Sequence, residues 1–451
     1  MRFAVVLAFA DASIVVLALP QIVGQLDTTI SHVTWVIMAY NLSLIAGVAG
    51  FLALGRGVNE ARALLGGLML FGAASIGCGV ANSLEFLVAM RCVQGVGGGL
   101  LLCASLPLLA GASRRGESVT AAWAAAAALG AAIGPAAGGV LTQLFDWRAI
   151  FIAQAPAAAL AAAAVVAVPV REFRAVEEDT GERSETGPVT ANASLLLLSA
   201  GLIGALFLVV VLLIDVWQLE PIQAAAVVSA IPLATVVTDR LGRGRSPIAT
   251  GIGGALLLAA GLVGIALVTH RQVAVVTACL ALCGAGLGLA FTTLTAAAMK
   301  GPGTALTRAG RTVAARDAGL VVGLLVLTPI FVHDLDEAPG KAIPAVAATV
   351  IGAPLDGPTK AALAGGLLKA YKETPKGQLP DLDPAFDPLR ARSDPATAAQ
   401  LTTVQSQIES VVEREVTHSF RRAFLYSAGF ALLVVPLLAA VLLRVRRPRV
   451  P

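Results

Sequence analysis

Charged residues are scarce in this chain. Asp, Glu, Lys and Arg make up 13% of its 451 residues, against about 25% in average soluble domains. A soluble fold of this length needs charge on its surface, so a water-soluble globular enzyme is excluded. Hydrophobic residues make up 57% and the mean hydropathy is +0.83, which indicates a protein with many membrane-spanning segments. Aromatic residues, at 5%, are too few for a cavity devoted to aromatic recognition of cations.

The sequence also lacks the motifs that support enzymatic chemistry. No GxxxxGK(S/T) phosphate loop, HExxH, GxSxG or CxxC occurs, so we predict no enzyme activity, no cofactor and no ATP hydrolysis. The four histidines have no metal-ligand spacing, which predicts no metal site. The cysteines all lie inside apolar runs and are interpreted as packing residues rather than disulfide partners. These residues are His32, His270, His333 and His418, and Cys78, Cys92, Cys103, Cys279 and Cys283.

Long apolar runs separated by short polar segments predict twelve transmembrane helices in an all-α integral membrane fold. The first run begins like a secretory signal peptide, but Asp11 interrupts it and no cleavage site follows, so we expect a first span. A polar segment divides the spans six and six. The runs lie at about 3–23, 33–54, 63–82, 84–112, 118–143, 147–170, 193–216, 219–238, 247–269, 273–298, 312–333 and 423–443.

The basic residues of the connections predict the orientation. Cytosolic loops carry an excess of Lys and Arg, and one set of alternating connections carries nearly all of them, whereas the opposite short loops carry only Arg148 and Arg271. We therefore predict a multi-pass protein of the cell (plasma or inner) membrane with both termini in the cytosol. The predicted cytosolic set is Arg2, Arg56, Arg62, Arg114, Arg115, Arg171, Arg174, Arg183, Arg240, Arg243, Arg245, Lys300, Arg308, Arg311, Arg444, Arg446, Arg447 and Arg449.

The chain is predicted to divide into five regions. These are an N-terminal six-helix half at 1–170, a cytosolic linker at 171–191, spans seven to eleven at 192–333, an extracytoplasmic helical insert at 334–421, and span twelve with a basic cytosolic tail at 422–451.

The insert contains an apolar pattern at helical spacing, which predicts an amphipathic helix continuous with span twelve. A shorter pattern at 358–372 would supply the apolar face that this helix packs against. Two interpretations stay open: an ordered hairpin that caps the outer rim, or an extension that guides a hydrophobic substrate or binds an envelope protein. The first pattern is Leu401, Val404, Ile408, Val411, Val412, Val416 and Phe420, and the second is Leu363, Leu367, Leu368 and Tyr371.

Asp11 and Arg91 lie within predicted spans, where an uncompensated charge costs about 3 kcal/mol or more. Counting residues from the span ends places Asp11 roughly 12 Å from the cytosolic side and Arg91 roughly 10 Å from the outside. A buried carboxylate can exchange a proton near neutral pH, and a guanidinium can adjust its proton affinity. The alternative for both residues is a structural hydrogen bond. We interpret Asp215, Glu220, Arg316 and Asp317 as residues at span boundaries.

The fifth span carries the string GxxxGPxxGG, formed by Gly130, Gly134, Pro135, Gly138 and Gly139. Glycines four apart leave one helix face without side chains, so a neighbouring helix can approach closely. Pro135 removes one backbone hydrogen bond and permits a bend. A closely packed, bendable helix suits a gate, and we predict that the fifth span is a gating helix.

These residues belong to motifs that resemble one family. The segments DASIVVLALPQI (Asp11 to Ile22), MRCVQGVGGG (Met90 to Gly99), the fifth-span string and DWRAIFIAQAP (Asp146 to Pro156) together resemble the drug/proton antiporters of the major facilitator superfamily. That family usually has fourteen spans, and this chain resembles a twelve-span form. The resemblance covers nearly all membrane segments but neither the linker nor the insert.

The resemblance implies a fold of two six-helix halves and proton coupling at Asp11 and Arg91. It also implies a cytosolic charge lock after the eighth span, at Asp239, Arg240 and Arg243 within the letters DRLGR. The corresponding loop of the first half departs from the family pattern. There, Leu54, Gly55 and Val58 stand where an Asp and two Arg are expected.

Three functions are compatible with these observations. The leading one is a secondary active exporter that exchanges protons for amphipathic or lipophilic small molecules by alternating access. The second is an exporter of lipids or cell-envelope precursors, and the third is a non-transporting membrane scaffold that holds a partner through the insert. The predicted partners are accordingly protons, a small molecule or lipid, membrane lipids and an envelope protein at 334–421, with no nucleic acid.

Overall fold

The computed structural model describes residues 2–54, 59–112, 119–167, 185–242, 244–300, 302–373 and 381–446. Across these ranges the chain is helical and contains no strand. Eleven helices of the described chain are long and apolar enough to cross a membrane, and Val119–Leu144 is a further helix at the position of the fifth predicted run. The predicted all-α membrane fold is confirmed.

We number the helices in chain order. Helices α1 to α11 contain the first eleven predicted spans, in chain order. Helices α14 and α15 together contain the twelfth. They are α1 (Arg2–Gln25), α2 (Ile30–Leu54), α3 (Glu60–Gly79), α4 (Leu84–Ala112), α5 (Val119–Leu144), α6 (Trp147–Ala167), α7 (Pro188–Val216), α8 (Pro221–Gly242), α9 (Pro247–Ala266), α10 (Val273–Ala298), α11 (Ala305–Gly352), α12 (Gly357–Glu373), α13 (Asp383–Arg390), α14 (Pro395–Leu432) and α15 (Val434–Arg446).

Proline accounts for the irregular middle of α1. Pro20 has no N–H with which to bond the carbonyl of Val16. The N–H of Leu19 bonds that oxygen instead, at the end of a 3-10 turn over Val15–Ala18. The α-helix therefore changes to a narrower 3-10 turn about one turn after Asp11.

The two halves repeat one packing arrangement. In the first half α1 packs on α5, α2 and α3 pack on α4, and α3 packs on α6. Six helices later, α7 packs on α11, α8 and α9 pack on α10, and α9 packs on α14. The letters of the two halves show no such repeat. The halves contact each other mainly where α2 meets α11 and where α5 meets α8.

Side-chain contacts identify the two ends of the bundle. At one end, the indole N–H of Trp147 donates to Gln25 Oε1 at 2.9 Å, and that of Trp217 donates to Thr417 Oγ1 at 3.3 Å. We call this the insert end, because Thr417 lies at the base of the predicted insert. At the other end, the linker end, Ser246 Oγ donates to Glu185 Oε2 at 3.3 Å. The assignment of the insert end to the outside of the cell stays a prediction.

The insert is a folded helical unit with a core of its own. Helix α11 continues beyond its span to Gly352, and α14 runs without a break from Pro395 into the twelfth span. The predicted continuous amphipathic helix is thus confirmed. Leu368 and Tyr371 of the shorter pattern are exposed, whereas Leu363 is buried. The core consists of Val350, Ala353, Leu363, Ala385, Phe386, Leu401, Val404 and Ile408.

An N-cap fixes where α14 begins. Asp394 Oδ1 accepts hydrogen bonds from the backbone N–H groups of Ala396 at 2.8 Å and Thr397 at 3.0 Å, and Pro395 occupies the first helical position. These bonds, that from Thr397 above all, lower the pKa of the Asp394 carboxyl below its ordinary value. Both features are typical of a helix start.

Candidate functional site

The first half encloses a cluster of polar side chains among its helices. Its members come from four helices, and each is at most 5% exposed. We call this set the Asp11 cluster. It consists of Asp11 on α1, Ser75 on α3, Arg91 and Gln94 on α4, and Gln154 on α6.

Asp11 and Arg91 form a buried ion pair at the centre of the cluster. Arg91 Nη1 donates to Asp11 Oδ2 at 2.8 Å and to Asp11 Oδ1 at 2.9 Å. Asp11 is 0% exposed and Arg91 is 1% exposed. Burying two charges costs desolvation free energy. This cost is offset only by the attraction between the two partners and by further hydrogen bonds to each of them.

Two glutamines supply those further bonds. Gln154 Nε2 donates to Asp11 Oδ1 at 3.0 Å, and Gln94 Nε2 lies 3.4 Å from the same oxygen. Gln94 Oε1 accepts from Arg91 Nη1 at 2.7 Å, while its Nε2 also donates to Ser75 Oγ at 2.9 Å. One amide therefore contacts both members of the ion pair.

Arg91 is also fixed from its other sides. Its Nε donates to the backbone oxygen of Val36 at 3.0 Å. Its guanidinium lies 4.1 Å from the ring centre of Tyr40 and 5.6 Å from that of Phe151. Aromatic faces attract a desolvated cation, so α2 and α6 both help to hold this charge.

Asp11 and Arg91 were both predicted from the sequence as functional residues, with the arginine acting on the carboxylate, but a direct ion pair between them was not predicted. Depths counted from opposite ends of the spans do not show a contact, whereas in the structure the long arginine side chain reaches the carboxylate at 2.8 Å. The analysis also assigned no role to Gln94 or Gln154. Both lie within the quoted segments MRCVQGVGGG and DWRAIFIAQAP, and a lone polar residue in each apolar stretch was the available signal.

The fifth-span string lies where two helices approach α5 closely. A Cβ at Gly130 or Gly134 would collide with α1 at Val6 and Ser13, and one at Gly138 would lie 2.7 Å from a backbone oxygen of α1. Gly139 faces the other half instead, because its Cβ would meet Ala225 of α8. Pro135 lies within this helix. The string therefore permits close packing on both neighbours, while its role as a gate stays a prediction.

The interpretation of Asp317 as a boundary residue is wrong. Asp317 is 3% exposed and lies well inside α11. Its carboxylate lies 3.9 Å from Nε of Arg316. The Arg316 guanidinium in turn lies 4.3 Å from the ring centre of Phe9, so a cation of the second half contacts α1, two residues before Asp11.

The remaining predicted residues lie at the ends of helices. Glu220 accepts a hydrogen bond from Gln143 Nε2 at 2.9 Å at the insert end, and Asp215 lies in the π-turn that ends α7.

Of the predicted lock, Asp239 accepts a hydrogen bond from the hydroxyl of Thr292 on α10, and Arg240 is exposed. Arg243 lies outside the described residues, as do positions 55–58 in the corresponding loop of the first half.

Comparison with protein families decides the classification. A family model described as the Major Facilitator Superfamily matches residues 2–328. The chain belongs to the major facilitator superfamily. This major facilitator is thus a multi-pass integral membrane protein, and the prediction that it is not an enzyme is confirmed by its family. The match ends within α11, before the insert.

Several named relatives of this major facilitator are resistance proteins. The methylenomycin A resistance protein of Streptomyces coelicolor is 32% identical over 160 residues, which cover 34% of this chain and 33% of the relative. The lincomycin resistance protein of Streptomyces lincolnensis is 34% identical over 198 residues, which cover 43% and 38%. The multidrug resistance protein Stp of Mycobacterium tuberculosis is 33% identical over 155 residues, which cover 34% and 29%. The chain thus spans about a third of the length of these relatives.

Solved structures share the fold of this major facilitator at low identity. A bacterial homologue of the human lysosomal transporter Spinster, in an inward-facing and occupied conformation, aligns with a TM-score of 0.63 at 12% identity. That alignment covers 98% of this chain and 96% of the homologue. A D-xylose–proton symporter aligns with a TM-score of 0.60 at 14% identity, over 72% of this chain and 88% of the symporter.

Proposed function

We propose that this major facilitator exports amphipathic or lipophilic small molecules in exchange for protons, by alternating access of its two halves. The buried Asp11–Arg91 ion pair is the observation that carries the proposal. Ionisable groups at such depth are expensive, and in membrane proteins they mark ion and proton pathways. The names of the resistance relatives support the substrate class.

The first step of the proposed cycle is protonation of Asp11. A neutral carboxyl no longer balances the charge of Arg91, whose hydrogen-bond acceptors are then all neutral: Gln94 Oε1, Val36 O and the remaining acceptor oxygen of Asp11. Leaving a buried cation without its counterion is strongly unfavourable. Protonation therefore weakens the connection between α1 and α4 and favours a rearrangement of α1.

The close packing of α1 against α5 passes this rearrangement to the second half. Gly130, Gly134 and Gly138 bring the α5 backbone against α1, and Gly139 brings the same helix against α8. A shift of α1 displaces α5, because at Gly130, Gly134 and Gly138 the α5 backbone lies directly against α1 with no room for even a Cβ between them. This sequence of contacts links the protonation state of Asp11 to the contact between the halves.

We assign a second proton-exchanging role to Asp317 in the second half. It is buried, and its carboxylate oxygen is 3.9 Å from the nitrogen of Arg316, well beyond the 2.8 Å of the Asp11 pair. A buried ionisable group within a span is by default a candidate for an ion or proton pathway. On this assignment both acids exchange protons during the cycle, but Asp11 does so from a close ion pair and Asp317 from a looser one.

The proposed arrangement in the cell places both termini and the lock residues Asp239, Arg240 and Arg243 in the cytosol, in the plasma (inner) membrane. The basic loops support this orientation. The insert would then be extracytoplasmic and open to an envelope protein.

A second candidate substrate is a lipid or cell-envelope precursor. Its support is the folded insert, which stands directly on the two helices that supply spans eleven and twelve. A surface at that position would meet a lipophilic molecule as it leaves the membrane.

The test is transport by purified protein in proteoliposomes with an imposed proton gradient. One fluorescent lipophilic cation and one labelled lipid are used with wild type, Asp11→Asn and the exposed control Asp336→Asn. Gradient-driven movement that only Asp11→Asn abolishes supports the proposal, and the probe that moves gives the substrate class. Movement that is independent of the gradient, or equal in Asp11→Asn, contradicts it.

A further inference from the structure

A cavity lies at the base of the insert, where α11 and α14 leave the bundle. Its volume is about 490 Å³. Charged groups of both signs line it, including Asp334, Glu337, Lys341, His418, Arg421 and Arg422. The proposed transport mechanism uses none of these residues.

Three ligand-type side chains converge beside this cavity on one stretch of α11. One ligand atom from each of His333, Asp334 and Glu337 lies within 4.8 Å of the other two. His333 Nε2 and Glu337 Oε1 are already 3.4 Å apart. That separation is close to the spacing of neighbouring ligands around a metal ion with bonds of roughly 2.0–2.2 Å.

The hydrogen bonds leave one oxygen of each carboxylate available. Arg422 Nη1 holds Asp334 Oδ1 at 3.0 Å, and Lys341 Nζ holds Glu337 Oε2 at 2.9 Å. Asp334 is 4% exposed, yet its Oδ2 has no hydrogen-bond partner among the described residues. A buried carboxylate oxygen without a partner is costly and requires an explanation.

We propose that His333, Asp334 and Glu337 bind one divalent metal ion of the Zn²⁺ type. The ligands are an imidazole nitrogen and one oxygen from each carboxylate, which is a donor set that zinc accepts with water in the open position. Arg422 and Lys341 each donate to the other oxygen of one carboxylate and so orient it, as the outer partners of metal ligands commonly do. The ion satisfies the orphaned Oδ2 of Asp334.

No metal site was predicted from the sequence, because the spacing of the four histidines along the chain does not match that of metal ligands. Only one histidine takes part here, and the other ligands are carboxylates at positions +1 and +4 of the same helix. Histidine and carboxylate residues at such spacings are common in charged helical segments. The sequence alone therefore does not distinguish this set from an ordinary solvent-exposed helix face.

The test is isothermal titration of Zn²⁺ into the full-length protein in detergent, after chelator treatment and removal of any histidine tag. Wild type, His333→Ala and Glu337→Gln are compared with His270→Ala, which removes an exposed histidine outside the cluster. Loss of a residue that only hydrogen-bonds to a metal ligand weakens metal affinity about 10- to 100-fold, so loss of a ligand itself should weaken it at least about tenfold. Both substituted side chains are exposed, and unchanged gel-filtration profiles verify folding.

The expected result is one Zn²⁺ per chain for wild type and His270→Ala, with weaker binding in both ligand variants. Binding should also weaken as the pH is lowered, because the ligands must be deprotonated. No Zn²⁺ binding by wild type overturns the proposal. Equal binding by all four proteins also overturns it, since the ion would then lie elsewhere.

Discussion

Asp11→Asn is the substitution that tests the Asp11 cluster most directly, because it removes the charge and keeps the shape. In the wild type, Oδ1 accepts from Arg91, Gln154 and Gln94, whereas Oδ2 accepts from Arg91 at 2.8 Å. The single amide oxygen of Asn is best placed at Oδ1. The amide NH₂ then takes the position of Oδ2 and faces Arg91 Nη1, donor against donor.

The structure sets the expected magnitude. Removing one partner of a buried ion pair costs about 3–5 kcal/mol, and Asp11→Asn should fall near about 3 kcal/mol because Arg91 keeps Gln94 and Val36 as acceptors. Arg91→Gln should cost a similar amount. The double variant has no buried charge left in this pair, so its cost should be about 4 rather than about 6 kcal/mol, a coupling of about 2 kcal/mol.

The assay is the free energy of unfolding from denaturant titrations in mixed detergent micelles, for wild type, both single variants and the double variant. Asp336→Asn, an exposed carboxylate on the insert part of α11, is the control and should match wild type. A double variant that costs as much as the two single changes together would refute the reasoning. So would an Asp11→Asn protein as stable as the wild type.

Three other outcomes are expected. Gly134→Leu should lower both thermal stability and transport, because a Cβ there collides with Ser13, while Gly50→Leu should change neither, since a Cβ at Gly50 meets nothing within 4 Å. Asp317→Asn should retain substrate binding but lose gradient-driven transport in proteoliposomes; unchanged gradient dependence would remove Asp317 from the proposed cycle. Leu363→Ala should destabilise the insert by about 2–5 kcal/mol, measured by proteolysis of the insert, and Leu368→Ala, which is 51% exposed in the wild type, should not.

The fold was largely predictable from the sequence for a physical reason. A membrane-spanning helix must satisfy its backbone internally and be apolar along its length, so each span is visible as a run of letters. The repeated packing of the halves was not visible, because contacts such as α3 on α6 and α9 on α14 depend on shape and not on identical residues. The end of α11 was also missed, since the helix continues into water, where hydropathy gives no signal.

The site was predictable only in part. Asp11 and Arg91 stood out because charge is rare in the spans, whereas Gln94 and Gln154 are neutral and attracted no attention. Their importance comes from convergence: side chains of α4 and α6 meet at the Asp11 carboxylate of α1, and Ser75 of α3 bonds Gln94 beside it. Asp317 was misinterpreted because it lies only a short distance along the chain from the basic segment that is predicted to be cytosolic, although α11 places it inside the bundle.

The two buried acids differ in a way that gives α1 a double role in the proposed cycle. Asp11 on α1 is neutralised by Arg91 within its own half, while Phe9 on the same helix lies against Arg316, the cation beside Asp317. A movement of α1 that separates Asp11 from Arg91 therefore also removes the aromatic face from Arg316. A cation released from that face is free to approach Asp317 and to favour its ionised form. On this argument, proton uptake at Asp11 promotes proton release at Asp317 through one helix, without a continuous chain of hydrogen bonds between them.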